Sequence, residues 1–481
     1  MTSVDAIIVG SGPNGLAAAV TLARAGLSVT VYERASTIGG GARTAELTLP
    51  GFHHDVGSAV HPMALASPFF SEFRLSDRID LVVPELSYAQ PLDGGRSGLA
   101  WRDLDRTAED LGRDGNAWKR LFAPLVNHVD AIADIASATP LKIPRYPITL
   151  ARLGLRVLEQ GTPGWNARFS EAVAPALLTG VIAHSIQRLP SLAAAAAGLV
   201  LATHAHARGW PIPVGGSQSI TDAMAADLRA HGGTIVTDTT IASLDELPSS
   251  RVVLFDTSPR ALRGLLGDAA PARYARTLER FQYGNAIAKV DYALSGPVPW
   301  TDTRLAEAGT LHLGGFREET AGGERVVAAG RMPRSPYVLV SQPTRFDPTR
   351  APEGKHVLWA YTHVPHGSTE DRGDAITDQI ERFAPGFRDL ILAQTPSSAA
   401  DVEWSNPNYI GGDISAGDVN LPQLLRRPTV VEPWRTPVAG VYLCSSATSP
   451  GPGVHGLAGW NAAKSALRHE FGITDVPNLA P

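Results

Sequence analysis

A glycine-rich turn between an apolar, strand-like run and an alanine-rich helix is the feature that most constrains the fold of this chain. The first run ends at Gly10, Gly12 and Gly15 follow, and a second β-type run, LSVTVYER, ends on Glu33 and Arg34. Gly10 permits the tight turn, Gly12 lets the backbone approach a diphosphate, and Gly15 lets helix and strand pack closely. The helix N-terminus offers N–H groups to the phosphates, and Glu33 falls where a carboxylate holds ribose hydroxyls. The pattern predicts the first βαβ unit of a dinucleotide-binding domain.

The glycines that follow indicate which dinucleotide is bound. Gly39–Gly41 come a few residues after the acid, and GSAVHP supplies another turn at Gly57 and Ser58 with His61 behind it. NAD-dependent dehydrogenases need no such element, whereas FAD in proteins of the glutathione reductase type extends past this loop toward the substrate domain. The sequence therefore predicts FAD, and the alternative for the GSAVHP turn is a surface hairpin.

A strand-to-helix turn near the other end of the chain is predicted to complete the cofactor site. The β-type run VYLC leads into a turn rich in Ser, Pro and Gly and then into a helix predicted to begin near Val454. Such a helix N-terminus can face the pyrimidine edge of a flavin and stabilise negative charge on the reduced ring. The alternative is an ordinary glycine-containing turn.

Several longer motifs carry a resemblance to a known family. They are the N-terminal fingerprint, GSAVHP, GGSQSITDAMAADLRAHGGTI (215–235), ERFAPGFRDLIL (381–392), NPNYIGGDIS (406–415) and SPGPGVHGLAGWNAA (449–463). With them the chain resembles the phytoene-desaturase-like FAD oxidoreductases, most closely the branch labelled pyridine-nucleotide-disulfide-oxidoreductase-domain proteins, related to carotenoid desaturases and retinol saturases. The resemblance implies that Ile241 pairs with the adenine. It also implies that Ser446 contacts the cofactor, although Ser445 stands where relatives commonly have glycine.

Motifs and resemblance together give one predicted set of FAD contacts. They are Gly10, Ser11, Gly12, Pro13, Asn14, Gly15, Glu33, Arg34, Gly40, Gly41, Arg43, Gly57, Ser58, Ile241, Ser446, Gly453, Val454 and His455. His61 and His455 are the predicted proton-exchanging residues, because both lie on turns that the resemblance places beside the flavin. A packing or hydrogen-bonding role is the alternative for each.

Motifs that are absent from the sequence limit the reactions that this protein is expected to catalyse. Cys444 is the single cysteine, so a redox-active disulfide is excluded, and no second GxGxxG indicates a nicotinamide domain. The expected electron acceptor is therefore oxygen, a quinone or a partner protein. No metal site is expected, and His204 and His206 are interpreted as a pocket wall or a helix end rather than ligands.

Composition excludes other classes of protein. The 481 residues carry a net charge of −5, which gives no basic field for nucleic acid. One cysteine and an N-terminus that leads directly into the first strand favour a cytoplasmic protein. Ser191–Ala202 is predicted to be a buried helix, since no run is long enough to span a membrane. Leu141–Gln160 is amphipathic and predicts an ordinary surface helix, with a membrane-surface contact or the cover of a lipophilic tunnel as alternatives.

The predicted fold class is α/β, a glutathione-reductase-type FAD-binding Rossmann domain with an inserted α+β substrate domain of antiparallel sheet plus helices. The FAD domain is expected to comprise residues 1–70, 211–280 and 418–475, and the substrate domain residues 71–210 and 281–417. Strands are expected at TIVTDTTIASL, RVVLFDTS, NAIAKVDYAL and HVLWAYTHV, and amphipathic helix around Trp118–Ile135.

Three functions remain open from the sequence. The favoured one is a FAD-dependent dehydrogenase or saturase acting on carbon–carbon bonds of a lipophilic small molecule. The second is a flavin amine oxidase that releases hydrogen peroxide, for which Trp404, Tyr409, Trp434 and Trp460 are available aromatic residues that no pattern pairs. The third is a FAD-binding protein without catalysis, against which the complete cofactor fingerprint argues.

Overall fold

The computed structural model describes residues 4–139 and 143–481, and its strands build one parallel sheet, one mixed sheet and two small antiparallel pairs, β3 with β4 and β5 with β8. The strands are β1 (Val4–Val9), β2 (Val29–Tyr32), β3 (Thr44–Glu46), β4 (His53–Asp55), β5 (Leu81–Val82), β6 (Leu86–Pro91), β7 (Ser97–Trp101), β8 (Ile212–Pro213), β9 (Thr234–Val236), β10 (Ser250–Phe255), β11 (Ala286–Leu294), β12 (Ala308–Leu313), β13 (Val338–Ser341), β14 (His356–Val364), β15 (Ile391–Ser397) and β16 (Val441–Leu443).

Helices cover both sheets. They are α1 (Pro13–Arg24), α2 (Pro68–Glu72), α3 (Leu104–Asp110), α4 (Gly115–Val126), α5 (Val129–Ser137), α6 (Pro147–Gln160), α7 (Val173–Ala183), α8 (Leu192–Ala207), α9 (Gln218–Ala230), α10 (Pro259–Leu266), α11 (Ala272–Glu279), α12 (Arg317–Ala328), α13 (Pro343–Phe346), α14 (Gly373–Phe383), α15 (Ala399–Ser405), α16 (Leu421–Leu424) and α17 (Leu457–Ala466). No helix in these described ranges has the length and apolarity needed to cross a bilayer.

The parallel sheet has the strand order β16-β10-β1-β2-β9. Its central strand β1 is almost wholly apolar because helices bury both of its faces, as is typical of parallel sheets. Ile8 packs with α1, α9 and α17 on one face, and Ile7 packs with α10 and α11 on the other. The predicted Rossmann-type α/β fold is confirmed.

The mixed sheet has the order β15-β11-β14-β13-β12-β6-β7, antiparallel except where β6 pairs with β12. Helices α4, α7 and α8 cover one of its faces, and α14 packs on the other. This agrees with the predicted α+β part of the fold. The strands β6 and β7 were not expected in a region predicted as helical; the run LSYAQP lacks the regular alternation that marks a strand, because all six of its residues are buried.

The two sheets draw their strands from alternating parts of the chain. Residues 4–32, 234–255 and 441–443 supply the parallel sheet, and residues 86–101, 286–364 and 391–397 supply the mixed sheet. The division into two discontinuous domains at the expected boundaries stays a prediction.

Several predicted elements are shorter than expected. Helix α17 begins at Leu457 instead of near Val454, because Gly453 and Gly456 take positive φ angles of 133° and 66° that keep the chain out of helix. The strand expected at TIVTDTTIASL ends at Val236, and the helix expected over Trp118–Ile135 is two helices, α4 and α5. Within the predicted Leu141–Gln160 helix, α6 starts at Pro147, and Leu141 and Lys142 lie outside the described residues.

Candidate functional site

A cavity of about 1030 Å³ is lined by residues of both sheets and brings the predicted site residues together. Every predicted FAD contact except Gly15 lines it, and so do both predicted catalytic histidines. The lining members of the predicted set are Gly10, Ser11, Gly12, Pro13, Asn14, Glu33, Arg34, Gly40, Gly41, Arg43, Gly57, Ser58, His61, Ile241, Ser446, Gly453, Val454 and His455. The cavity lies at the carboxyl ends of β1, β2 and β10, where ligands of open α/β sheets bind.

The fingerprint turn has the geometry that its glycines predict. Gly10 has a φ of 101°, and a Cβ atom on Gly15 would lie 2.2 Å from the carbonyl oxygen of Gly10. Gly15 is therefore buried beneath the turn, which explains why it does not face the cavity. A Cβ atom on Gly40 would lie 3.0 Å from the Cα atom of Gly12, so the two glycine turns adjoin.

Hydrogen bonds hold Glu33, the acid that follows β2, in a fixed orientation. Glu33 accepts hydrogen bonds from the backbone N–H and the hydroxyl of Ser11 at 2.9 and 2.6 Å, and from the N–H of Ala35 at 2.8 Å. Its carboxylate stands beside the α1 N-terminus, and Ile241 lies on the same cavity wall. These residues fit the adenosine diphosphate half of FAD, because they offer a cradle without side chains, free helix N–H groups and an oriented ribose acceptor.

The two ends of the chain meet at this cradle. The Asn14 side chain donates to the hydroxyl of Ser446 at 3.1 Å, while its own Oδ1 is buried without a hydrogen-bond partner. Helix α17 packs so closely on α1 that a Cβ atom on Gly459 would lie 1.8 Å from the Asn14 carbonyl oxygen. Arg427 donates to the carbonyl oxygen of Ser446 at 3.1 Å and fixes this segment.

Asp256 is a partly buried acid that lines the cavity beside the fingerprint, and the sequence analysis missed it. It follows β10 directly, and the register of β10 with β1 places it beside Gly10. Its Oδ2 accepts the backbone N–H of Gly15 at 2.8 Å. Burial raises the pKa of Asp256 to about 7. The hydrogen bond from the Gly15 N–H opposes this rise, and the charge of Glu33 adds to it. The signal in the sequence is the acid at the end of the buried strand RVVLF.

We expect Asp256 to make FAD affinity depend on pH. A diphosphate bound at the α1 N-terminus favours the protonated acid, so FAD affinity should fall as pH rises above about 7. The total fall in affinity is up to about tenfold for each pH unit by which the bound diphosphate raises the pKa of Asp256. Asp256→Asn keeps an oxygen for the Gly15 N–H and removes the charge. Titrating apoprotein with FAD between pH 6 and 9 should therefore show a flatter profile in the variant. Equal slopes in the two proteins would contradict this role.

The two predicted catalytic histidines differ in what their ring nitrogens contact. His61 Nε2 lies 2.8 Å from the Ser217 hydroxyl, which donates onward to the Ser58 carbonyl oxygen, so Nε2 carries the proton and Nδ1 is a lone pair without a partner. Both nitrogens of His455 are engaged, since Nε2 contacts the Gly451 carbonyl oxygen and Nδ1 accepts the N–H of Leu457. The geometry of His455 favours the hydrogen-bonding alternative, and it supports the turn before α17.

A histidine pair at the cavity wall was not predicted. His184 lines the cavity, and its Nε2 lies 2.7 Å from Nε2 of buried His312. Burial, with a smaller contribution from His363, lowers the pKa of His184 to about 3, and burial also lowers the pKa of His312. Both rings are therefore neutral near pH 7, with one proton in the hydrogen bond between them. His184 directly follows α7 and His312 lies on β12, so no local motif could have paired them.

A buried group of opposite charges supports the GSAVHP turn. Lys289 on β11 lines the cavity, donates to the backbone carbonyl oxygens of Asp55 and Val56, and forms an ion pair with Asp291 at 2.8 Å. Burial raises the pKa of Asp291 to about 6, although Lys289 opposes the shift. Asp55 forms a second ion pair, with Arg350, at 2.8 Å. These charges fix the chain immediately before Gly57.

His204 and His206 are at the C-terminal end of α8, as the helix-end interpretation predicted. His206 contacts the carbonyl oxygen of Trp101 and the indole N–H of Trp118. In the described part of the chain, no group of three His, Cys, Asp or Glu side chains is arranged to hold a metal ion.

The fold and this cavity define the chain as an FAD-dependent oxidoreductase, and comparison with known proteins agrees. The flavin containing amine oxidoreductase family matches residues 14–467, and the chain belongs to this family. A relative from Rattus norvegicus, the pyridine nucleotide-disulfide oxidoreductase domain-containing protein 2, is 28% identical over 96% of this chain and 93% of its own length. The predicted family and the predicted cofactor are thereby confirmed.

Two further proteins show the breadth of the similarity. The phytoene dehydrogenase of Streptomyces griseus is 27% identical over 81% of this chain and 77% of its own length. The solved structure of a putrescine oxidase triple mutant superposes with a TM-score of 0.61 at 19% identity, covering 97% of this chain and 99% of that one. The second comparison shows a shared fold.

Proposed function

We propose that this protein dehydrogenates or saturates carbon–carbon bonds of a lipophilic small molecule. The observation that carries this proposal is the apolar arm of the cavity, which lies on the mixed-sheet side beyond the predicted flavin contacts. Its lining side chains from the helices are almost all aliphatic: Ile135, Ala136, Leu153, Ala193, Ala196, Ala197, Val200 and Leu201. Such a wall binds a hydrocarbon skeleton and excludes water from the reaction.

The relatives support the same substrate class. Besides the phytoene dehydrogenase of Streptomyces griseus, a zeta-carotene-forming phytoene desaturase of Myxococcus xanthus covers 93% of this chain at 24% identity. The bound FAD supplies hydride transfer at its N5 atom. The chain itself has to orient the substrate, keep the site dry and move a proton to or from the neighbouring carbon.

His61 and His184 are the proposed proton-exchanging residues. His61 has a free Nδ1 lone pair, and burial lowers its pKa to about 4, so that near pH 7 the ring is neutral and this lone pair can accept a proton. His184 also lines the cavity, and its hydrogen bond to His312 can pass a proton away from it. A proton can thus be taken up or delivered at two positions of the cavity wall.

Replacing His61 with glutamine should slow flavin reduction without loss of FAD. We expect the rate of anaerobic bleaching by a reactive substrate to fall about 10²- to 10⁴-fold, the usual contribution of a general base. His184→Gln tests the second residue in the same way, and His231→Gln replaces the exposed histidine that follows α9, outside the cavity, as a control. Unchanged bleaching rates in both cavity variants would remove these histidines from the mechanism.

A flavin amine oxidase is the second candidate. The cavity wall carries Trp359 and Tyr361 with ring centroids 5.1 Å apart, and the Asp291 carboxyl group lines the same space. Aromatic faces and an acid suit an ammonium group. Of the aromatic residues considered from the sequence, Tyr409 lines this cavity, whereas the Trp404 side chain is 83% exposed.

One experiment separates these functions. Purified holoenzyme is mixed anaerobically with lipophilic extracts or with simple amines, and flavin bleaching is followed near 450 nm, roughly where oxidised flavin absorbs. We expect lipophilic extracts to bleach the flavin, and then oxygen, a quinone or a partner protein to restore the colour. Hydrogen peroxide that is released when oxygen is admitted, with amines alone, would favour the oxidase. A flavin that no substrate reduces would favour a non-catalytic FAD-binding protein.

A further inference from the structure

Helix α6 exposes apolar side chains to solvent. Ile148, Leu155 and Leu158 are 69%, 66% and 53% exposed. At intervals of seven and three residues they share one face of the helix. Leu153 and Gln160, on the opposite face, are buried. This is the reverse of an ordinary surface helix, which turns its polar face to water.

The segment that leads into α6 extends this surface. Ile143 is 86% exposed, and Tyr146 is also exposed. Arg145 and Arg152 are exposed beside these apolar residues, and Arg145 lies 4.0 Å from Asp134. Residues 143–158 contain three arginines and no acidic residue, in a chain whose net charge is −5. The surface therefore combines apolar and positively charged groups, as helices that lie on anionic membranes do.

The same helix forms a wall of the cavity. Leu153, on the inner face of α6, lines the apolar arm, together with Ile135 at the end of α5 and Val200 on α8. Helix α6 thus separates solvent on one side from the proposed lipophilic site on the other. A bilayer against its outer face would lie one helix thickness from that site.

We propose that the surface formed by residues 143–158 docks on an anionic lipid bilayer, with α6 lying in the interface plane. The apolar face enters the boundary between headgroups and acyl chains, and Arg145 and Arg152 contact the anionic headgroups. Docking requires no catalysis, so its test is independent of the proposed reaction.

Vesicle binding by the FAD-loaded protein tests this surface. With vesicles of equal parts phosphatidylcholine and phosphatidylglycerol, we expect the wild-type protein to sediment with the lipid at low salt. Leu155→Asp should lower its partition coefficient at least about tenfold, because it places a carboxylate in the apolar face. Val431→Asp adds the same charge at an apolar residue of the segment before β16 that is 70% exposed, and it should bind as the wild type does.

Other outcomes would overturn the proposal. Wild-type protein that stays in the supernatant would do so, as would equal losses in Leu155→Asp and Val431→Asp. Sedimentation equilibrium without lipid covers the remaining case: a dimer that Leu155→Asp dissociates would show that a second copy of the chain covers α6. Arg152→Gln should weaken binding to the mixed vesicles and leave binding to phosphatidylcholine alone unchanged. The flavin content of each variant shows that it is folded.

Discussion

Replacing Gly15 with alanine is expected to give a colourless, less stable protein. A Cβ atom at this position would lie 2.2 Å from the Gly10 carbonyl oxygen and 3.1 Å from the Asp256 side chain. The first of these neighbours is backbone and cannot turn away, so α1 has to move off β1. Such a shift displaces the N–H groups that receive the diphosphate. We expect FAD to be lost almost completely and the free energy of unfolding to fall by about 1–3 kcal/mol, as overpacking in a core usually costs.

The ratio of absorbance at the flavin band to protein absorbance, together with thermal unfolding, measures both effects. Gly322→Ala is the matched control: it also adds one methyl group to a helix, but a Cβ atom there has only the Arg325 guanidinium within 4 Å, at 3.8 Å. This control should keep FAD and gain up to about 1 kcal/mol from helix propensity. A yellow Gly15→Ala protein of unchanged stability would contradict the proposed packing of the fingerprint.

Replacing Arg350 with methionine is expected to have the largest effect on stability. The Arg350 guanidinium contacts Asp55 at 2.8 Å, and both side chains are almost completely buried. Burial alone would disfavour the Asp55 carboxylate, but Arg350 and the hydrogen bonds from Ser217 and Thr44 hold its pKa below 3.8. Without the guanidinium the carboxylate is buried and unpaired, which costs about 3–5 kcal/mol.

The stability lost in Arg350→Met should depend on pH, because the charge of Asp55 does. Because the pKa of Asp55 is lowered in the folded protein, its stabilising effect in the wild type is present above about pH 4 and is lost as pH falls through the lowered value. In Arg350→Met the unpaired carboxylate takes up a proton more readily, so the stability difference from the wild type should shrink as pH falls from 7 toward 4. Denaturant unfolding at several pH values measures the difference.

The double variant Asp55→Asn with Arg350→Met serves as the control for unpaired charge. It removes both charges and should recover part of the stability that the single variant loses. A loss that stays constant with pH, or a double variant less stable than the wild type by the sum of the losses in Arg350→Met and Asp55→Asn, would show that the pair acts only through packing.

The parts of this site that depend on local sequence could be predicted, and those that depend on contacts between distant segments could not. Gly10, Gly12 and Glu33 were found because one βαβ unit fixes their positions by itself. Asp256 and Lys289 reach the cavity through the register of strands that lie hundreds of residues from the fingerprint, and a single sequence does not report that register. Their buried charges were therefore missed.

Helix α6 shows a second limit of prediction from a single sequence. The periodicity of residues 141–160 indicated an amphipathic helix, which the structure shows over Pro147–Gln160, but periodicity does not say which face turns inward. Contacts with α4, α5 and α8 bury Thr149, Leu153 and Gln160, and the face with Leu155 remains outside. The neighbouring helices decide the orientation, and these are specified elsewhere in the chain.

The assembly of the parallel sheet has a consequence for how the protein folds during synthesis. Strand β1 pairs with β10, and β10 pairs with β16, so the sheet stays incomplete until residues 441–443 have left the ribosome. Contacts between segments so distant in sequence form slowly, because loop closure costs entropy before the contact forms. The nascent chain must therefore keep the apolar edge of its first strands from aggregating until β16 has been made, and the flavin can enter its complete pocket only after that strand has paired with β10.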